Sequence, residues 1–243
     1  MIMLPIKQII HYISLGRTEY ILALLKHDNW QEVLHQGVLK PLQWLVYFND
    51  LTGLKFVMEN GGSLSSIDIN GELGNAAFFG HWKICEFLLQ HGADVNAHVD
   101  NTQETPLHNA LAKAGRPYYY YTVRVLVEKG ADVNAKTIPG KETCAFMRDV
   151  RTKGETPLHR AAAYSDVKTI SFLLKHGADK EAKDAYGDSP LSWASQHLRP
   201  GEILSLLTYG DHKISESHIT KNISDHGQNW GNAMDWSLFG EYV

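Results

Sequence analysis

The stretch Gly-Glu-Thr-Pro-Leu-His at 154–159 repeats almost whole at 104–108, where the chain reads Glu-Thr-Pro-Leu-His. Each copy is followed by apolar helical stretches and then by Gly-Ala-Asp, at 130–132 and at 177–179. Thr156 lies 33 positions before Ser189, which opens a Ser-Pro-Leu variant of the same phrase. A fixed period with a helix-opening phrase and a helix-ending glycine predicts an array of stacked structural repeats.

The same register extends toward the start of the chain. Lys7 and Lys40 lie 33 positions apart at the place of the Thr, and Gly71 occupies that place in the next unit. We therefore predict four units that follow the pattern clearly or moderately, one divergent unit over 40–70 and one degenerate capping unit within 1–39. A degenerate first unit suits the end of an array, because one face of a terminal repeat meets water.

The phrases Thr-Pro-Leu-His and Gly-Ala-Asp-Val-Asn are consensus phrases of the ankyrin repeat, and the chain resembles that family over roughly 7–210. The resemblance implies an all-α solenoid of five to six helix-turn-helix units. It also implies that His108 and His159 hydrogen-bond the Thr of their own motif, Thr105 and Thr156, and the neighbouring turn.

Two asparagines close the Gly-Ala-Asp-Val-Asn phrases, Asn96 and Asn134, and each has a Leu eight residues earlier. This arrangement is similar to the site that an asparaginyl hydroxylase modifies in some ankyrin proteins. Hydrogen bonds from the asparagine side chain to the turn backbone would explain the residue equally well. Modification is therefore a possibility at both positions.

Two segments depart from the period. The chain between Gly130 and Thr156 is 14 residues longer than the one between Gly177 and Ser189, so an insertion lies within 136–153. We expect this inserted finger to form a protruding, hairpin-like loop.

The second departure is the tail over 211–243, which follows the repeat array of 40–210. Its apolar residues within 230–240 predict a C-terminal cap over the last unit, where Trp193, Ile203 and Leu207 would otherwise be exposed. The alternative is a linear motif that docks its tryptophans into a partner.

Composition excludes several classes of function. A net charge of −4 without a concentrated basic face argues against nucleic acid as the main partner. No apolar run approaches the roughly 20 residues of a membrane span, and the start of the chain does not have the features of a signal peptide. Two cysteines suit a reducing compartment, so we expect a monomeric, cytoplasmic protein, with the nucleus or a host cytosol left open.

The chain carries no recognisable catalytic motif. A phosphate-binding glycine loop, Gly-x-Ser-x-Gly and His-Glu-x-x-His are all missing from the sequence. The spacings of six and eight between His212, His218 and His226 match no common zinc signature. We therefore expect no enzymatic activity, no cofactor and no metal.

The function that the resemblance implies is non-catalytic recognition of a protein on the concave face and the fingers of the array. Four consecutive tyrosines begin at Tyr118, and tyrosine is enriched at interfaces. The candidate contact residues are Tyr118, Tyr119, Tyr120, Phe146, Met147 and Arg148. Three alternatives remain: a ubiquitin-ligase substrate adaptor, a bacterial effector and a non-catalytic subunit of an enzyme complex.

Overall fold

The computed structural model describes residues 4–35, 40–98, 101–112, 119–144 and 153–210. Within these ranges the chain is helical and contains no strand. The helices are α1 Ile6–Ser14, α2 Ile21–Leu24, α3 Trp30–His35, α4 Pro41–Tyr47, α5 Leu51–Glu59, α6 Ile69–Phe79, α7 Trp82–Gln90, α8 Pro106–Ala110, α9 Tyr119–Glu128, α10 Pro157–Tyr164, α11 Val167–Lys175, α12 Pro190–Gln196 and α13 Gly201–Leu207. Short 3-10 turns occupy Thr18–Tyr20 and Leu64–Ser66.

Six helix pairs stack side by side in chain order. The inner helices α1, α4, α6, α8, α10 and α12 each contact the next one in this series. The outer helices α2, α5, α7, α9, α11 and α13 form a second layer with the same order. The expected solenoid of helix-turn-helix units is confirmed, and the described residues hold six such pairs.

Proline and a capping residue start several inner helices. In α4, α8, α10 and α12 the first helical residue is a proline, which suits this position because its missing N–H would have no partner there. Thr105 and Thr156 occupy the cap positions of α8 and α10. The repeated phrase therefore encodes helix starts.

The third unit departs from the sequence register at its start. The register places Gly71 at the cap position, but α6 begins at Ile69. The reason is Asp68, whose carboxylate accepts a hydrogen bond from the Gly71 N–H at 3.1 Å and so caps the helix earlier. The helix ends at Gly80, which has a φ of +76° and lies against the Tyr119 ring of the next unit.

The apolar stripes of the outer helices form the core. In α9, Val123, Leu126 and Val127 are buried, as the i, i+3, i+4 spacing predicts. In α11, Ile170 and Leu173 are fully buried, while Leu174 is half-buried. Full burial of one such side chain stabilises the fold by about 1.5–3 kcal/mol, so these stripes hold neighbouring units together.

The first half of the insertion packs partly on the array, while its turn over 139–142 is exposed. Thr137 and Thr143 are buried, and the Ile138 N–H donates to the Thr102 carbonyl at 2.8 Å. The Thr137 N–H donates to the Glu155 carbonyl at 3.1 Å. This part follows the array because its backbone donors find acceptors there.

The second half of the insertion, with Phe146, Met147 and Arg148, lies outside the described residues. The tail over 211–243 does too, so its role as a cap stays a prediction. Trp193, which that prediction left for the tail to cover, is fully buried and donates from Nε1 to Asp184 Oδ2 at 3.0 Å. Side chains of the last two units therefore already satisfy its indole.

Candidate functional site

The two motif histidines hydrogen-bond the turn backbone. In the fifth unit, the Thr156 N–H donates to His159 Nδ1 at 3.2 Å, and His159 Nε2 lies 3.1 Å from the Asp188 carbonyl. Nδ1 is thus an acceptor, so the proton is on Nε2 and the imidazole is neutral. Burial lowers the pKa of His159. A neutral, fully bonded imidazole links consecutive units and is not poised for proton transfer.

His108 makes the same contacts one unit earlier. The Thr105 N–H donates to its Nδ1, and its Nε2 lies 3.3 Å from the Glu155 carbonyl. Burial, helped by the nearby Arg160 charge, holds the pKa of His108 well below its usual range. The hydrogen bonds that the resemblance implies for both histidines are therefore present.

Asn96 and Asn134 join neighbouring turns along the array. Asn96 Oδ1 accepts from the Asp132 N–H at 2.8 Å, and its Nδ2 donates to the Gly130 carbonyl at 3.1 Å. Asn134 makes the equivalent pair of bonds in the next unit. These contacts give both residues a structural role, and their hydroxylation stays a prediction.

A buried charged network lies beside the insertion, and the sequence analysis did not identify it. The Arg160 guanidinium is fully buried and donates to Glu155 Oε1 from Nε and Nη2, at 2.8 and 2.6 Å. Glu104 Oε1 lies 2.8 Å from Arg160 Nη2 as an ion pair, outside the angle of a hydrogen bond. Glu104 Oε2 accepts from the Cys144 N–H at 2.8 Å. The network therefore joins two units to the insertion.

Cys144 is an unreactive thiol in this setting. Burial, followed by the Glu104 charge, raises its pKa to about 12. Its Sγ lies 3.0 Å from Asn109 Oδ1. Burial also raises the pKa of Cys85. Neither thiol forms the thiolate that a nucleophile requires near neutral pH.

The tyrosine run contributes less free surface than expected. Tyr119 is 6% exposed, and its hydroxyl donates to the Phe78 carbonyl at 2.7 Å. The interpretation of Tyr119 as a contact residue is corrected, because the side chain packs between units. Tyr120 is half-buried with Lys168 Nζ 3.8 Å from its ring centroid, and Tyr118 lies outside the described residues.

A concave feature lies on the inner helices of the first three units. A groove of about 700 Å³ runs across α1, α4 and α6. Each helix presents one face to it, with lining residues spaced i, i+3, i+4 and i+7 at α1 and α4 and i, i+3 and i+7 on α6. The lining residues are Lys7, Ile10, His11, Ser14, Lys40, Gln43, Trp44, Tyr47, Glu72, Asn75 and Phe79.

Aromatic rings form one wall of the groove. Tyr47 is 48% exposed and meets the Phe79 ring edge-to-face, with centroids 5.0 Å apart. Trp44 meets the Tyr47 ring at 5.8 Å, also edge-to-face. Such amphipathic rings on a rigid surface are typical anchors at protein interfaces.

The groove floor holds a carboxylate. Glu72 is 4% exposed, and its oxygens accept from Gln43 Nε2 at 2.7 Å and from Asn75 Nδ2 at 3.4 Å. Burial raises the pKa of Glu72 against the lowering effect of these amides. The groove therefore combines aromatic rings with a desolvated acidic group.

The sequence analysis missed these groove residues although a signal was available. The stripe of α1 recurs in α4 at the 33-residue period: Lys7 and Lys40, Ile10 and Gln43, His11 and Trp44, Ser14 and Tyr47. Positions that keep the helical face but carry polar or aromatic residues in place of a constant apolar type mark an exposed inner surface. The sequence prediction instead placed the contact at the tyrosine run that begins at Tyr118.

The described residues carry no sign of metal or membrane chemistry. In this part of the chain, no group of three or more His, Cys, Asp or Glu side chains is placed to hold a metal ion. Among the same residues, no helix is long and apolar enough to cross a membrane.

Comparison with known proteins identifies the repeat. The family model described as ankyrin repeats (3 copies) matches residues 42–137 and 141–217. This chain belongs to the ankyrin repeat family. The match includes the units that contain His108 and His159, the asparagines Asn96 and Asn134, and part of the groove. The gap between the two matched segments, 138–140, falls within the insertion.

Several curated ankyrin proteins are similar to this chain. Human Rabankyrin-5 is 34% identical over 50% of this chain and 9% of its own length. A putative ankyrin repeat protein of Rickettsia felis is 30% identical over 60% of this chain and 57% of its own. Human ankyrin repeat and SOCS box protein 3 is 28% identical over 75% of this chain and 33% of its own. The chain thus spans between about a tenth and somewhat over half of these relatives.

Proposed function

We propose that this ankyrin repeat chain is a non-catalytic protein-binding module that holds a segment of a partner protein in the groove across α1, α4 and α6. Ankyrin repeats are protein–protein interaction modules, which supports the general role. The observation that carries the specific proposal is the aromatic wall of Trp44, Tyr47 and Phe79 on an open groove of about 700 Å³. Tyr47 is exposed and the other two rings are half-buried, and aromatic rings gathered in one groove are the usual anchors of a binding surface.

Rigidity makes this surface efficient. The three inner helices contact one another in sequence, so the groove residues are held by the packing of the array. A preformed surface loses little conformational entropy when a partner binds, and more of the contact energy is retained as affinity. Binding there requires no catalytic residue.

Affinity capture with mass spectrometry tests the proposal. Tyr47→Ala should remove the captured partner, because it deletes the exposed ring that contacts Phe79. Leu22→Ala is the matched control, since Leu22 is also 48% exposed but lies on the outer helix α2. Both variants should melt close to the wild-type temperature. Undiminished capture by folded Tyr47→Ala would contradict the groove as the contact surface.

The end of the insertion is a second contact candidate within the same function. Phe146, Met147 and Arg148 begin two positions after Cys144, whose backbone N–H donates to the Glu104 carboxylate of the array. Replacing all three by Ala leaves the hydrogen bond between the Cys144 N–H and the Glu104 carboxylate intact. Loss of capture by this variant, together with normal capture by Tyr47→Ala, would assign the contact to the insertion.

An adaptor role is the second candidate. Similarity to ankyrin repeat and SOCS box protein 3 over 75% of this chain supports it. An adaptor holds two partners at once, so purification from cells should recover two proteins in fixed ratio. Tyr47→Ala should then release only one of them. Recovery of a single partner that Tyr47→Ala abolishes would favour the simple binding module.

A further inference from the structure

The groove floor holds a buried carboxylate that makes no close ion pair within the described residues, although burial raises its pKa and the Lys40 charge, acting from farther away, lowers it. Among the described residues, the ion pairs involve Arg17, Arg124, Lys153 and Arg160, and none of them reaches Glu72. Glu72 is nonetheless 4% exposed. Buried carboxylates in proteins are normally paired with a cation, so this position is suited to one that a partner brings.

The side-chain amides of Gln43 and Asn75, beside Glu72, add further acceptor oxygens to the groove. An ionised carboxylate only accepts, so Gln43 and Asn75 must turn their NH₂ groups toward Glu72. Their carbonyl oxygens, Gln43 Oε1 and Asn75 Oδ1, are then left to accept from other donors. The floor therefore presents a carboxylate and two amide oxygens, all of them acceptors.

The walls favour a planar cation over a compact one. Trp44, Tyr47 and Phe79 line the same groove as Glu72. A guanidinium stacks on aromatic faces and carries five N–H donors in one plane, whereas an ammonium is a point charge that is more strongly hydrated. The acceptors of the floor and the rings of the wall together match an arginine side chain.

The rim of the groove is positively charged, which limits the charge that a bound segment can carry. Lys7 and Lys40 are exposed and lie on the groove at the first positions of the α1 and α4 stripes. They repel a uniformly basic segment and attract a carboxylate. The groove thus complements a segment of mixed charge.

Building on the proposed function, we infer that the groove binds a segment of a partner protein that places an arginine side chain over Glu72, between the aromatic rings, with an acidic residue beside it facing Lys7 and Lys40. The arginine supplies the donors that Glu72, Gln43 and Asn75 require. The acidic neighbour makes the segment selective against basic tracts.

A peptide titration of the full chain tests this inference. The probe is acetyl-Ala-Asp-Arg-Ala-amide, and its matched control has citrulline, which keeps the shape of arginine but is neutral. The readout is the Trp44 indole N–H resonance in NMR spectra, assigned by its loss in Trp44→Phe. The arginine peptide should shift this resonance saturably. The citrulline peptide should bind about tenfold or more weakly, because hydrogen bonds to a charged partner are the strong ones.

Glu72→Gln identifies the counter-ion. This variant keeps an acceptor for Gln43 Nε2 and so preserves the local packing, and its melting temperature checks the fold. It should weaken the arginine peptide about tenfold or more, while Glu59→Gln, at an exposed position on α5, should leave it unchanged. Equal binding of the arginine and citrulline peptides, or an unaltered affinity in folded Glu72→Gln, would overturn the inference.

The same variants separate this inference from the groove function itself. If Tyr47→Ala loses the captured partner and Glu72→Gln does not, the groove binds a protein but not through arginine. If neither variant loses it, the groove function is wrong. A Trp44 indole resonance that moves in Trp236→Ala without any peptide would show that the chain's own tail occupies the groove, which would also overturn the inference.

Discussion

Replacing Arg160 by Met should be the most destabilising single change in the described part of the fourth and fifth units. The guanidinium donates to Glu155 and to the His108 carbonyl, and it pairs with Glu104. Its removal leaves two carboxylates, 5% and 0% exposed, without a cation. Breaking a buried pair from one side costs about 3–5 kcal/mol. For a domain of this size that lowers the melting temperature by roughly 6–20 °C.

Urea and thermal unfolding followed by circular dichroism measure the loss, and two comparisons fix its cause. Arg124→Met breaks an ion pair whose partners are about half exposed, so it should cost less than about 1 kcal/mol. Arg160→Met combined with Glu104→Gln and Glu155→Gln removes the stranded charges and should recover most of the stability. The reasoning fails if Arg160→Met costs no more than Arg124→Met, or if neutralising both carboxylates recovers nothing.

Three further changes test the turns of the array. The pKa values of His108 and His159 in the folded chain lie below the ordinary 6.5, so the unfolded chain takes up protons first as the pH falls. The urea midpoint should therefore be constant above about pH 7 and decrease below 6.5. An increase on acidification would contradict this assignment. Asn134→Ala removes the bonds to Gly177 and Asp179 and should cost about 1–2 kcal/mol, with faster hydrogen exchange at the Asp179 amide. Gly177→Ala should cost about 1 kcal/mol of unfolding free energy in a thermal melt because its φ is +88°, although an added Cβ would meet no atom within 4 Å. A neutral result would show that the turn tolerates an L-residue.

The repeat architecture could be predicted because each unit marks its own ends. Proline after a capping residue starts the inner helix, and glycine ends the outer one, so these local signals give the period without knowledge of tertiary contacts. The start of α6 was harder to place, because Asp68 competes with Gly71 for the cap and lies outside the phrase. A divergent unit keeps its fold through packing even where its caps change.

The contact residues were harder to predict because exposure depends on neighbouring units. Tyr119 belongs to a conspicuous aromatic run, but Gly80 in the preceding unit leaves space that its ring fills. Glu72 is a charged residue in the sequence, and only the stacking of α4 on α6 buries it under Gln43. The ion network around Arg160 likewise joins residues 52 to 56 positions apart in sequence, which a local pattern does not reveal.

The two charged sites lie on different units of the solenoid, which limits the energetic coupling between them. Arg160 lies on α10, whereas the groove lies on α1, α4 and α6, and inner helices contact only their neighbours in the stack. In a one-dimensional array, energy is transmitted mainly across adjacent interfaces. The buried network can therefore fix the insertion to the later units without setting the geometry of the groove, and the groove can hold an unpaired carboxylate without weakening the later units. The chain thus keeps its ion-paired carboxylates beside the insertion and a carboxylate without a close ion pair on the groove.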